Sequence, residues 1–132
     1  MLIMEWQARA VGTTIEQVTA MQHRSRDGTH TGYIRISLKC SGIPALALAL
    51  GGDGESVVVD DEDFFAVDLE EFGQLEIANL NDHPLFVKVV GRIINEIELM
   101  KYGEVVSGIV IHSSSGNKLQ IENCGDEFCI NN

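Results

Sequence analysis

The apolar residues of this chain recur mostly with a period of two, in short runs broken by glycine-containing polar turns, and that pattern restricts it to a β-rich fold. From Tyr33 to Cys40 the residues Ile34, Ile36, Leu38 and Cys40 fall on one face of an extended strand, and Tyr33, Arg35, Ser37 and Lys39 on the other. Ile15 to Gln22 is a second strand, and Arg26-Asp27-Gly28-Thr29 is a turn that makes the two a hairpin with Arg24 and Arg26 at its tip. Leu46, Leu48 and Leu50 alternate with alanines, Gly51-Gly52-Asp53-Gly54 interrupts, and Ser56 to Val59 resumes, which predicts another hairpin.

The middle is less regular. Asp63 to Leu69 is expected to cap or begin a short helix that Gly73 breaks, and Leu75 to Leu80 to form a short strand or turn. His83-Pro84 starts one helical turn, with Leu85 and Phe86 packing inward and Gly91 ending it. Ile93, Ile97 and Leu99 then oppose Glu96 and Glu98 along a strand to Met100. Val105 to His112, with Ile109 and Ile111 inward, and Lys118 to Asn123, with Leu119 and Ile121 inward, complete a meander, and Phe128 to Ile130 is a last short strand. The expected class is α+β, mainly β: a twisted antiparallel sheet or partly open barrel of about six to eight strands with one or two short helices. At 132 residues, this is a single domain over 1–132 with enough chain for one apolar core.

Charge narrows the function. The formal net charge is −11, which excludes sequence-independent nucleic-acid binding and disfavours anionic membrane surfaces. Residues 1–52 carry five Lys or Arg against three acids, whereas residues 53–132 hold 17 acids against four bases. Nine of those acids fall between positions 53 and 71 with no base among them: Asp53, Glu55, Asp60, Asp61, Glu62, Asp63, Asp68, Glu70 and Glu71. Phe64, Phe65 and Phe72 interleave with them. Such a run is either a solvated face or a docking patch that steers and then holds a basic partner. The phenylalanines serve as apolar anchors in the second case and as core residues in the first.

The three cysteines, Cys40, Cys124 and Cys129, are an odd number, which predicts reduced thiols and cytoplasmic residence over a disulfide framework. The apolar stretch Met1–Trp6 contains Glu5, lacks a basic leader and is too short for a signal core; Ile43–Leu50 is too short for a membrane span. Cys124 and Cys129, with His112, Asp126 and Glu127, lack the tight paired spacing of a zinc site, and the acids from Asp53 to Asp63 lack the alternating calcium-loop pattern. His23, His30, His83 and His112 are scattered outside any nucleophile or metalloprotease motif, and Ser113–Lys118 lacks the leading glycine of a phosphate loop. No metal, cofactor or catalytic set is expected.

Taken together, His83-Pro84-Leu85-Phe86, Val90-Gly91-Arg92, the strand to Met100, Tyr102-Gly103, Ser107–Ile111 and Leu119-Gln120-Ile121 make the chain similar to small bacterial immunity proteins. These belong to polymorphic toxin and contact-dependent growth inhibition systems. The resemblance spans residues 10–130 and is closest after His83; Tyr102-Gly103-Glu104 and Ser107-Gly108 replace the family's tighter Gly-Tyr-Asp-Gly arrangement. It implies a non-catalytic inhibitor of a cognate toxin. The acidic charge extends the expectation to a cationic nuclease domain bound through Asp53 to Glu71, with Phe64 or Phe65 as anchor. A small-ligand-binding β domain and an accessory or adaptor subunit are the alternatives.

Overall fold

A computed structural model describes residues 3–59, 64 and 66–132. It opens on a helix that period-two reading misses, α1 (Ile3–Ala10). Ile3, Trp6 and Ala10 share one side of it, Trp6 and Ala10 are buried, and Glu5 and Arg9 lie in the first and last turns where they complement the helix dipole. Eight residues would not hold a helix in water alone, so packing of Trp6 into the core supplies the stability.

Ten strands follow among the described residues: β1 (Ile15–Arg24), β2 (His30–Cys40), β3 (Leu46–Leu50), β4 (Val57–Val59), β5 (Val67–Asp68), β6 (Gln74–Asn79), β7 (Ile94–Tyr102), β8 (Val105–Ser113), β9 (Lys118–Asn123) and β10 (Phe128–Asn131). They form two antiparallel sheets, one in the order β4-β3-β2-β1-β6-β5 and one in the order β10-β9-β8-β7. The fold is mainly β with one α-helix, as expected, but it is two open sheets instead of one sheet or a partly closed barrel, and it has more strands than the alternation distinguished. Both predicted hairpins form: β1 pairs with β2 around Gly28, and β3 with β4 around Gly51–Ser56.

The two sheets bury one shared apolar cluster. Val18, Ala20, Ile36, Leu38, Leu46 and Leu48 come from the larger sheet, and Ile97, Ile109, Ile111, Leu119, Ile121 and Phe128 from the smaller, with Trp6 and Phe86 filling in around them. An isolated bridge, Thr14 to Ile93, and the bonds from Ile94 N–H to the Thr13 carbonyl and from Gly12 N–H to the Ile94 carbonyl stitch the start of β1 to the start of β7. The expected turn after Pro84 is a 3₁₀ turn over Phe86–Lys88, with Phe86 fully buried.

Two facing assignments change, each because of an irregularity in a strand. The ladder passes from Met21–Arg35 to Gln22–Tyr33, skipping Ile34, so Tyr33 packs on the core, reversing the simple alternation. Between Ile94–Ser113 and Glu96–His112 the extra residue is Asn95, so Ile94 is buried and Ile93, expected inward, is exposed. Of the helix expected over Asp63–Leu69, positions 63 and 65 lie outside the described residues, Val67–Asp68 is strand, and the helical turn comes later, at Glu70–Phe72.

The reduced-thiol expectation is also corrected. Cys124 and Cys129 form a disulfide, with Cα atoms 5.8 Å apart, at the turn end of the β9–β10 hairpin; the bond from Cys124 N–H to the Glu127 carbonyl turns the chain so that the two meet. Cys40 alone is a free thiol; it is buried, and burial pushes its pKa up.

Candidate functional site

The acidic run does not form one surface. Asp53 lies in the β3–β4 turn, where its Oδ1 accepts from the N–H groups of Glu55 (2.9 Å) and Ser56 (2.7 Å) and from the Ser56 hydroxyl (2.9 Å). Those donors, Ser56 N–H foremost, hold its carboxyl below the usual range. Asp53 is therefore a turn-forming residue, with Glu55 exposed beside it. Asp68, Glu70 and Glu71 belong instead to β5 and the 3₁₀ turn after it. Strands β4 and β5 are opposite edges of the six-stranded sheet. Five inter-strand steps at about 4.8 Å put these edges roughly 24 Å apart. Asp60, Asp61, Glu62, Asp63 and Phe65 lie outside the described residues.

Phe64 is half-buried, and the Arg35 guanidinium carbon lies 4.6 Å from its ring centroid, a cation–π contact on the larger sheet. Among the described phenylalanines Phe72 is the solvent-facing one, 71% exposed. It sits at the end of the Glu70–Phe72 turn, which is held by one bond from β5 and two from the β1–β2 hairpin. Asp68 Oδ1 accepts from Glu70 N–H (2.8 Å), Arg26 Nε donates to the Glu70 carbonyl (3.0 Å), and His23 Nε2 donates to the Phe72 carbonyl. Gly73 follows with φ 92°, where a β-carbon would lie 2.0 Å from the Arg24 carbonyl oxygen. The absence of a side chain lets the turn close onto the hairpin.

The basic hairpin tip and the acidic run, apart in sequence, meet here. Arg24, Arg26, Asp68 and Glu70 line an open cleft of about 300 Å³. Behind it Arg24 Nε pairs with Glu76 at 3.0 Å and His30 with the same carboxylate at 3.1 Å. A bond from Gln74, then His30 and Arg24, lower the Glu76 pKa. From the other sheet, Asp126 and Glu127 share a second cleft with His23, and Glu127 covers Gly32 where any other residue's β-carbon would sit. His23, which holds the Phe72 carbonyl and shares the second cleft, thus links the Glu70–Phe72 turn to two acids that sequence position did not associate with it.

A separate group lies on the outer face of the smaller sheet. His112 Nε2 is 2.7 Å from Glu98 Oε1, and Glu96 stands directly across the ladder from His112. The alternation placed Glu96 and Glu98 on one face; their meeting with His112 depends on the β7–β8 register. Cys124 and Cys129 lie away from His112, at the other end of this sheet's ladder, where Cys129 pairs with Glu122 while His112 pairs with Lys118. Comparison with protein-family models, curated proteins and solved structures finds no match.

Proposed function

We propose that the chain is an immunity protein that binds and blocks a cationic toxin domain, a nuclease by charge complementarity, in the cytoplasm. The supporting observation is an exposed aromatic side chain, Phe72, next in sequence to Glu70 and Glu71, on a turn whose last carbonyl is held by His23, the residue that shares a cleft with Asp126 and Glu127. Acids of this kind speed encounter with a cationic surface, and a desolvated aromatic slows departure. The contact is centred on Phe72, with Asp68, Glu70 and Glu71 retained from the acidic run; Phe64 is already engaged by Arg35. In a reducing compartment the β9–β10 ladder, and not the Cys124–Cys129 bond, has to hold Asp126 and Glu127 in place.

The test is calorimetric titration with the polypeptide encoded beside this chain's gene, at low and high salt. Binding should weaken with salt, and a Glu70→Gln, Glu71→Gln, Phe72→Ala variant should lose at least tenfold, while Glu104→Gln on the β7–β8 turn leaves affinity unchanged. No binding by the neighbouring product, or equal binding by the triple variant, overturns the proposal.

A further inference from the structure

We propose that Glu96, Glu98 and His112 form a site for one divalent transition-metal ion, with Zn²⁺ the best match, independent of the toxin-binding end. Ile97 and Ile111 are paired partners whose side chains enter the core. Their neighbours Glu96, Glu98 and His112 therefore point together from the outer face. The ligand atoms of the three all lie within 4.8 Å of one another. Donors bound to a single zinc ion at 2.0–2.2 Å sit roughly 3.3 Å apart. Both carboxylates are exposed, so side-chain rotation alone closes that gap while the ladder keeps the backbones fixed.

The extra residue Asn95 interrupts the ladder immediately before Glu96, and a bulge of this kind re-aims the side chain that follows it. The donor set selects the ion. Calcium and magnesium prefer all-oxygen shells, whereas one imidazole with two carboxylates suits zinc and its first-row neighbours. His112 would bind through Nε2, the nitrogen now facing Glu98. Because the carboxylates face solvent, three protein ligands leave a further coordination position for water or a partner's side chain. Lys118, across the ladder from His112 on β9, is a cation that opposes binding.

The experiment titrates ZnCl₂, CoCl₂ and CaCl₂ into the intact, chelator-treated protein by calorimetry, and follows the His112 imidazole resonances by NMR. One equivalent of Zn²⁺ should bind and shift His112, with Co²⁺ competing and Ca²⁺ far weaker. His112→Ala and the Glu96→Gln, Glu98→Gln pair should each weaken binding at least tenfold, whereas Lys118→Gln should tighten it a few-fold. Unshifted His112 resonances, or undiminished affinity in folded His112→Ala, would place any bound ion elsewhere and overturn the proposal.

Discussion

Replacing Gly73 by alanine strains the protein in two independent ways. The backbone there has φ 92° and ψ −141°, close to a region occupied almost only by glycine. Holding a β-carbon in it costs about 1–3 kcal/mol. The added atom would also lie 2.0 Å from the Arg24 carbonyl oxygen and 2.8 Å from the Ser25 Cα, both backbone atoms that no side-chain rotation can move aside. Overpacking of this kind costs a further 1–3 kcal/mol or so. The sum, about 2–6 kcal/mol, compares with a total stability of about 7–20 kcal/mol for a domain of this length. The variant should therefore fold, with its melting temperature lowered by roughly 6–18 °C. Gly28 is the control: its φ is also positive, 88°, but nothing lies within 4 Å of its added β-carbon. Gly28→Ala should cost only the conformational part, about 1–2 kcal/mol. Urea unfolding of both variants, followed by Trp6 fluorescence, measures the difference. If Gly73→Ala is no more destabilised than Gly28→Ala, the close approach of the 70–73 turn to the hairpin tip is wrong, and with it the positioning of Phe72.

Trp6 is the chain's one tryptophan and is 1% exposed, so native emission should be blue-shifted. Trp6→Ala should cost about 3–5 kcal/mol in urea unfolding. Cys124→Ser with Cys129→Ser opens a loop of only a few residues and should cost about 2 kcal/mol by chain entropy, read as a difference in melting temperature. Without reductant, alkylation of the denatured wild type should modify Cys40 alone. Asp27 accepts from Ser25 Oγ and Thr29 N–H, first of all from Ser25, and its pKa is lowered to about 2. A depressed carboxylate stabilises the fold above its unfolded pKa and loses that contribution as pH falls through the folded value. Wild type and Asp27→Asn should therefore converge in melting temperature between about pH 4 and pH 2; a constant gap across that window would contradict the turn's hydrogen bonding.

Legibility followed the range of the interactions. The hairpins at Gly28 and Gly51–Ser56, the inward sets Ile109 and Ile111 or Leu119 and Ile121, and the buried turn at Phe86 rest on neighbours in sequence, and alternation with turn chemistry exposes them. Tyr33 and Ile93 were misplaced because one extra residue in a strand inverts every face beyond it, and a bulge leaves no mark in a polar–apolar pattern. Helix α1 was missed because eight residues with two buried side chains carry little periodic signal. The disulfide escaped a count of cysteines because an odd total still permits one pair, and only the hairpin geometry brings Cys124 to Cys129.

By itself, the sequence determined the β-rich class, the net charge of −11 and the crowding of acids between positions 53 and 71. Tertiary structure decided what those charges can do together. Strand order sends Asp53 and Asp68 to opposite edges of one sheet, folds Arg24 and Arg26 against Asp68 and Glu70, and exposes Phe72 while Arg35 covers Phe64. Register sets His112 beside Glu96 and Glu98. The physical reason is range: alternation and composition are properties of neighbouring residues, whereas strand order and register follow from how two apolar faces bury one another, which no local stretch encodes.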